Sequence, residues 1–220
     1  MDGEAGALRT NDLIDMLAAA QQPQPASPPW TAMAAGLATG LAAALLLMAA
    51  TLGVRPDLVV SLGDFTLWLK FGFSALVLLA GGMAARQLSL PGKEWNGAGF
   101  VLSLIFVIVV VWALVDLAGR PPAEWAPCIV GQGWLTCLVA IPLLSLPTMV
   151  MMGAAMRRMA PTRLHLAGTL LGLASGGAAA FAFTLACQDD AVPFVAVWYS
   201  LALGISALLG RLLGPRLLRW

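Results

Sequence analysis

Six long apolar stretches constrain this chain more than any other feature of its sequence. Charged residues separate them, and they cover about residues 30–53, 65–85, 97–118, 129–155, 164–187 and 192–213. A helix needs about 20 apolar residues to cross a bilayer, and in lipid its backbone groups must hydrogen-bond within the same segment. The pattern therefore predicts an all-α, polytopic membrane protein with six transmembrane helices.

The amino-acid composition is typical of an integral membrane protein. Hydrophobic residues make up 60% of the 220 residues and charged residues 10%, with a mean hydropathy of +0.87. The net charge of +1 leaves no basic stripe that could neutralise phosphates, so we expect no direct contact with nucleic acid. Polar residues and prolines precede the first stretch, which favours a retained span over a cleaved signal peptide.

The distribution of lysine and arginine predicts the orientation of the six spans. One set of connections and both termini would hold nine of these residues: Arg9, Arg86, Lys93, Arg157, Arg158, Arg163, Arg211, Arg216 and Arg219. The opposite loops hold only Arg55 and Arg120, and they also collect acidic residues. Since cytoplasmic loops carry the excess of basic residues, both termini are expected in the cytoplasm.

A short amphipathic helix is predicted before the first span, within TNDLIDMLAAAQQ at residues 10–22. Leu13, Ile14 and Leu17 share one helical face, and Asp12 and Asp15 occupy the opposite side. The proline-rich run QQPQPASPP would end this helix. We therefore divide the chain into a cytoplasmic segment with a linker, residues 1–29, and a transmembrane domain, residues 30–220.

Glycines recur at every fourth position within several spans. Such pairs let helix backbones approach closely in a membrane, and they predict a compact bundle. The pairs are Gly36 with Gly40, Gly168 with Gly172 and Gly176, and Gly210 with Gly214.

Ionisable side chains inside the spans are scarce, which excludes several kinds of site. His165 is the only histidine, so a haem or a histidine-rich metal site is not expected, and a structural role at the membrane interface is favoured. Lys70 is expected to snorkel outward along Trp68, in preference to acting as a buried functional lysine. Asp116 is expected at the interface.

Three cysteines, Cys128, Cys137 and Cys187, fall in or near the outer half of the predicted bundle. The absence of a CxxC motif argues against a thiol oxidoreductase. In an oxidising compartment, Cys137 and Cys187 could form a disulfide or respond to oxidants or thiophilic metals. Alternatively, the cysteines are buried small hydrophobic residues.

Several motifs together resemble the negative regulator of sigma F (NrsF-like) family of bacterial six-span anti-sigma factors. They are DLIDMLA, LGVRPDL, FTLWLK, GQGWLTCLVAIPLLSLP, RRMAPTRLHLAGTLLGLASG and CQDDAVPFVAVWYS running to GPRLLRW. The resemblance implies a cytoplasmic N-terminal segment that holds an extracytoplasmic-function sigma factor inactive at the bacterial inner membrane. The cysteines that match the family pattern would be Cys137 and Cys187, which would sense an envelope, redox or metal signal.

Under this interpretation the N-terminal helix is the sigma-binding element. The predicted anchors are Leu13, Ile14, Met16 and Leu17, with Asp12 and Asp15 facing basic surfaces of the sigma factor. No enzymatic activity and no cofactor are expected, and whether a metal binds is left open. A membrane-surface anchor is the alternative for this helix. A small-solute transporter and a structural scaffold are the alternatives for the whole protein.

Overall fold

The computed structural model describes residues 10–20, 29–89, 97–159 and 161–219, and no strand occurs among them. The helices are α1 (Thr10–Ala19), α2 (Pro29–Thr51), α3 (Leu58–Ser61), α4 (Phe65–Ser89), α5 (Ala98–Ala118), α6 (Trp125–Val130), α7 (Trp134–Arg157), α8 (Leu164–Phe183), α9 (Val192–Phe194) and α10 (Ser200–Leu217). A π-helical turn, Val195–Tyr199, joins α9 to α10. Six helical segments are long and apolar enough to span a membrane, which confirms the predicted fold class.

Two predicted span boundaries differ from the structure for local reasons. The fourth long helix begins at Trp134 rather than near residue 129, because Gly131 has a φ of 60° and separates α6 from α7. Helix α8 ends at Phe183 rather than near residue 187. The carbonyls of Leu185 and Cys187 instead accept hydrogen bonds from Arg55, so the chain has left the helix there.

Helix α8 lies at the centre of the bundle, and glycines bring its neighbours close to it. A Cβ atom added at Gly168 or Gly172 would overlap the backbone of α10 at Gly210 or Ser206, and one at Gly177 would lie 2.6 Å from the backbone nitrogen of Leu78 in α4. Gly36 and Gly40 make similar approaches between α2 and α7. The predicted close packing through these glycines is confirmed.

The bundle has two chemically different ends. We call one the acidic end, where the loops at residues 52–64, 119–133 and 184–191 meet. We call the other the basic end, and its described arginines are Arg86, Arg157, Arg158, Arg163, Arg211, Arg216 and Arg219. Arg9 and Lys93, and most of the predicted linker, lie outside the described residues. The side of the membrane that each end faces stays a prediction.

Candidate functional site

A charge cluster occupies the acidic end and is centred on Arg55, whose side chain is 2% exposed. Its Nε and Nη2 atoms donate to the two carboxylate oxygens of Asp57 at 2.9 and 2.8 Å. Its Nη1 and Nη2 atoms donate to the two oxygens of Asp190 at 3.0 and 2.8 Å. The planar guanidinium matches both carboxylates in this bidentate way. Arg55 therefore ties the loop after α2 to the loop after α8.

Lys70 belongs to the same charge cluster, so the predicted snorkelling is wrong. Its side chain is fully buried, and Nζ donates to Oδ1 of Asp190 at 2.6 Å and to the Cys187 carbonyl oxygen at 3.4 Å. A buried ammonium is stable only when it is paired and hydrogen-bonded, and Asp190 meets that requirement inside the bundle. The prediction failed because Asp190 is 120 positions away in the sequence.

The neighbouring residue, Asp189, makes contacts in a different direction. Its carboxylate accepts hydrogen bonds from the backbone N–H groups of Gln132 at 3.1 Å and Gly133 at 2.7 Å, at the start of α7. Gly133 is the N-cap residue of α7, so its N–H has no partner within the helix, and a negative charge is favourable at this helix N-terminus. Adjacent aspartates thus fasten the segment after Cys187 to α7 on one side and to α4 and Arg55 on the other.

The electrostatics of the cluster favour its charged state. The hydrogen bond from Arg55 lowers the pKa of Asp57 to about 2. Burial acts to raise the pKa of Asp190, but hydrogen bonds from Arg55 and Lys70 outweigh it and hold that pKa below its ordinary value. Hydrogen bonds to Asp57 and Asp190 raise the pKa of Arg55. Arg55, Asp57 and Asp190 therefore carry full charges at neutral pH.

The cysteines predicted to sense a signal lie beside this cluster. All three cysteines are free thiols in the structure. Cys137 is fully buried one turn into α7, and Cys187 is 5% exposed. The two are near enough to interact electrostatically, and both interact with Tyr199, whose hydroxyl lies 3.4 Å from Oγ of Thr184. Cys128 lies apart from them in sequence, in the short helix α6.

A cavity of about 520 Å³ opens at the acidic end and gives access to Cys187. Its lining includes Thr136 and Phe183 together with Gln132, Cys187 and Asp189. Among the described residues, no group of three or more histidine, cysteine or acidic side chains could hold a metal ion. Cys187 is thus the thiol that a small reagent entering this cavity meets first, since Cys137 is fully buried.

Helix α1 presents the predicted sigma-binding residues to solvent. Leu13, Ile14, Met16 and Leu17 are 46, 56, 60 and 64% exposed, and Asp12 and Asp15 are also exposed. Exposed large apolar side chains on a short helix outside the spans are typical of an interaction surface. The structure therefore places these six residues together on one accessible helix, far in sequence from the two cysteines.

Two other predicted positions can be placed. Asp116 forms an ion pair with Arg120 at 3.0 Å near the end of α5. His165 is exposed near the start of α8, with Nδ1 3.3 Å from the carbonyl oxygen of Arg211. Neither residue joins the charge cluster through these contacts.

Sequence reasoning missed Arg55 and Asp190 as parts of the site. A signal was present, because Lys70 is the only charged residue within the predicted span 65–85 and needs a partner there. The acidic pair at Asp189 and Asp190 was visible in the loop QDD. The sequence does not show that this loop lies beside α4, so it does not pair Asp190 with Lys70.

Comparison with known proteins assigns the chain to a family. The family described as "Negative regulator of sigma F" matches residues 17–220. "Anti-sigma-F factor NrsF" of Caulobacter vibrioides is 37% identical over 216 residues, covering 97% of this chain and all of that protein. "Probable anti-sigma-F factor NrsF" of Azospira oryzae is 35% identical over 215 residues, with the same coverage. No solved structure matches. The chain therefore belongs to the negative regulator of sigma F family.

Proposed function

We propose that this protein is an inner-membrane anti-sigma factor that holds an extracytoplasmic-function sigma factor inactive through α1 and releases it on an envelope signal. Family membership supports a sigma factor as partner. The single observation that carries the choice of α1 is its apolar stripe of Leu13, Ile14 and Leu17, which is exposed outside the six spans. Such a stripe suits a helix-in-groove contact, with Asp12 and Asp15 facing basic surfaces of the partner.

The proposal requires α1 and the basic end to be cytoplasmic. The arginine excess at the basic end supports this orientation. Reporter fusions after residues 90, 160 and 220 are expected to report cytoplasm, and fusions near residues 58, 122 and 190 the outer compartment. A consistent inversion of these signals would reject the orientation.

Sigma binding by α1 is tested with two substitutions that add the same charge on opposite sides of the helix. Leu17→Asp is expected to abolish co-purification of the sigma factor and raise transcription from its promoters. Ala19→Asp, about 200° away around the helix, is the control and should leave both readouts unchanged. Membrane levels of each variant are measured by immunoblot. If Leu17→Asp and Leu13→Asp still co-purify the sigma factor, α1 is not the binding element. Equal loss in Ala19→Asp would mean that the added charge, and not the change in the apolar stripe, causes the loss.

We infer that Cys137 and Cys187 receive the signal. Cys187 lines the cavity at the acidic end, and both thiols interact with Tyr199 in the same part of the core. A disulfide or a thiophilic metal linking them would join α7 to the segment after α8. That link would alter the contacts which Asp189 and Asp190 make on either side of Cys187.

The cysteine hypothesis is tested by Cys137→Ser and Cys187→Ser, singly and together. Sigma-dependent transcription is measured with and without an oxidant or a thiophilic metal. Each variant is expected to repress normally and to lose the response, whereas Cys128→Ser is expected to respond as the parent does. A double variant that still responds would make the two cysteines packing residues.

A further inference from the structure

Among the described residues, the arginines at the basic end differ from the cations at the acidic end in having no carboxylate partner. Arg55, Lys70 and Arg120 all form ion pairs. None of the basic-end arginines forms an ion pair within the described part of the chain, and all seven are exposed. The basic end therefore presents positive charge that no carboxylate of the described residues neutralises.

Two of these arginines border a cavity where α7 ends beside α10. The cavity has a volume of about 550 Å³ and is lined by Val150, Ala154, Arg157, Arg158 and Leu217. Val150, Ala154 and Arg157 follow one another at helical spacing on one face of α7, so apolar surface extends about 10 Å along the helix from the charged rim. Positive charge above an apolar wall matches a phospholipid with an anionic headgroup.

The apolar wall belongs to two helices whose exposed side chains are also largely apolar. Val150 is 52% exposed, and the two helices that border the cavity carry further exposed apolar side chains, Met151 on α7 with Leu208 and Leu212 on α10. An acidic protein segment would have no use for apolar surface at membrane depth, whereas an acyl chain would cover it. These observations favour a lipid over a peptide in the cavity.

We infer that this cavity is a binding site for an anionic phospholipid. Arg157 and Arg158 hold the phosphate through charge-assisted hydrogen bonds, for which guanidinium groups are suited. Val150, Ala154 and Leu217 contact an acyl chain. The site lies on α7 at the end opposite Cys137, and its existence does not depend on the proposed sigma-factor binding.

The test uses the full-length protein in detergent, stripped of lipid, and native mass spectrometry during titration with phosphatidylglycerol. Arg157→Gln with Arg158→Gln is expected to weaken binding about 30-fold, since each basic residue near an anionic surface contributes about fivefold. Arg163→Gln with Arg219→Gln makes the same charge change at the same end but outside the cavity, and it should alter binding less than threefold. Phosphatidylethanolamine with matched acyl chains should bind weakly to all three proteins.

Two further variants separate headgroup from acyl-chain contacts. Arg157→Lys with Arg158→Lys keeps the charge and should retain most of the binding, which also controls for folding. Ala154→Trp fills the cavity and should weaken binding with all arginines intact. Equal losses in the two Gln pairs, or no loss in the Arg157 and Arg158 pair, would overturn the inference. So would loss of sigma-factor co-purification in that pair with lipid binding unchanged, since the cavity would then be a protein-binding surface.

Discussion

Replacing Asp190 with asparagine removes the shared carboxylate of the charge cluster and leaves Lys70 without a counter-ion. In the parent, Asp190 accepts from Lys70 at 2.6 Å and from Arg55 at 2.8 and 3.0 Å. In the variant, Lys70 keeps only the Cys187 carbonyl at 3.4 Å among the contacts described for it. Arg55 still has Asp57, so the main loss falls on the buried ammonium.

The expected cost is about 3 kcal/mol of unfolding free energy. Removing one partner of a buried ion pair costs about 3–5 kcal/mol, because the remaining charge is not compensated. The lower value applies here because the Asp190 side chain is 25% exposed and solvent partly screens it. For a protein of this size, that cost corresponds to a fall in Tm of about 6–12 °C.

Thermal unfolding of the purified protein in detergent measures this effect, and two further variants sharpen it. Asp57→Asn is the control, since the Asp57 side chain is 49% exposed and does not contact Lys70 through any described bond; its Tm should change much less. Lys70→Met combined with Asp190→Asn should recover more than half of the lost Tm, because no unpaired buried charge remains.

Maleimide labelling of Cys187 in a Cys128→Ser background gives a second, independent readout. Cys187 is 5% exposed in the parent, and its carbonyl contacts both cations of the cluster. Asp190→Asn should therefore label faster. The reasoning is refuted if Asp190→Asn leaves Tm within about 1 °C of the parent, if Asp57→Asn is equally damaging, or if the Lys70→Met combination is as unstable as Asp190→Asn alone.

Because the native pKa of Asp57 is about 2, against 3.8 for an unperturbed carboxyl, and that of Asp190 is also lowered, these carboxylates stabilise the fold fully above about pH 4 and lose that effect as pH falls. The Tm difference between the parent and Asp190→Asn should thus be constant from pH 7 to 5 and shrink between pH 4 and 2; a change above pH 5 would contradict this. Gly172→Ala should destabilise the bundle by about 1–3 kcal/mol, because the added Cβ overlaps the Ser206 carbonyl. Gly204→Ala, with nothing within 4 Å of its Cβ, is the matched control, and equal Tm values would refute the packing argument.

The sequence was sufficient to predict the six spans because bilayer thickness and backbone hydrogen bonding constrain each span locally. The sequence was also sufficient to predict that helices pack closely at Gly168 and Gly172, because small residues four positions apart let helix backbones approach each other in a membrane. In the structure these two glycines contact α10. The end of α8 was misjudged because Leu185 and Cys187 read as a continuation of an apolar run. Their carbonyls are turned toward Arg55, which is far away in the sequence.

The charge cluster could not be predicted because its pairs join distant parts of the chain. Asp190 is 120 positions from Lys70 and 135 from Arg55. A lysine within a membrane span needs a partner because an unpaired charge there is costly. The loops of the sequence contain several acidic residues that could be this partner. Only the packing of α4 against α8 selects Asp190.

Under the proposed function, a signal at Cys187 would have to favour one packing of the helices over another, and a tenfold shift in populations takes about 1.4 kcal/mol. The loss of one charge pair at the acidic end exceeds that value, so the cluster is strong enough to hold one packing in place. The glycines of α8 and α10 leave no room for these two helices to rearrange against each other, and we expect them to move as a unit. Helix α7 is fastened at its start by Asp189, which lies two residues after Cys187. A change at Cys187 would therefore be carried to the basic end by α7 moving against the α8 and α10 pair, and not by α8 separating from α10.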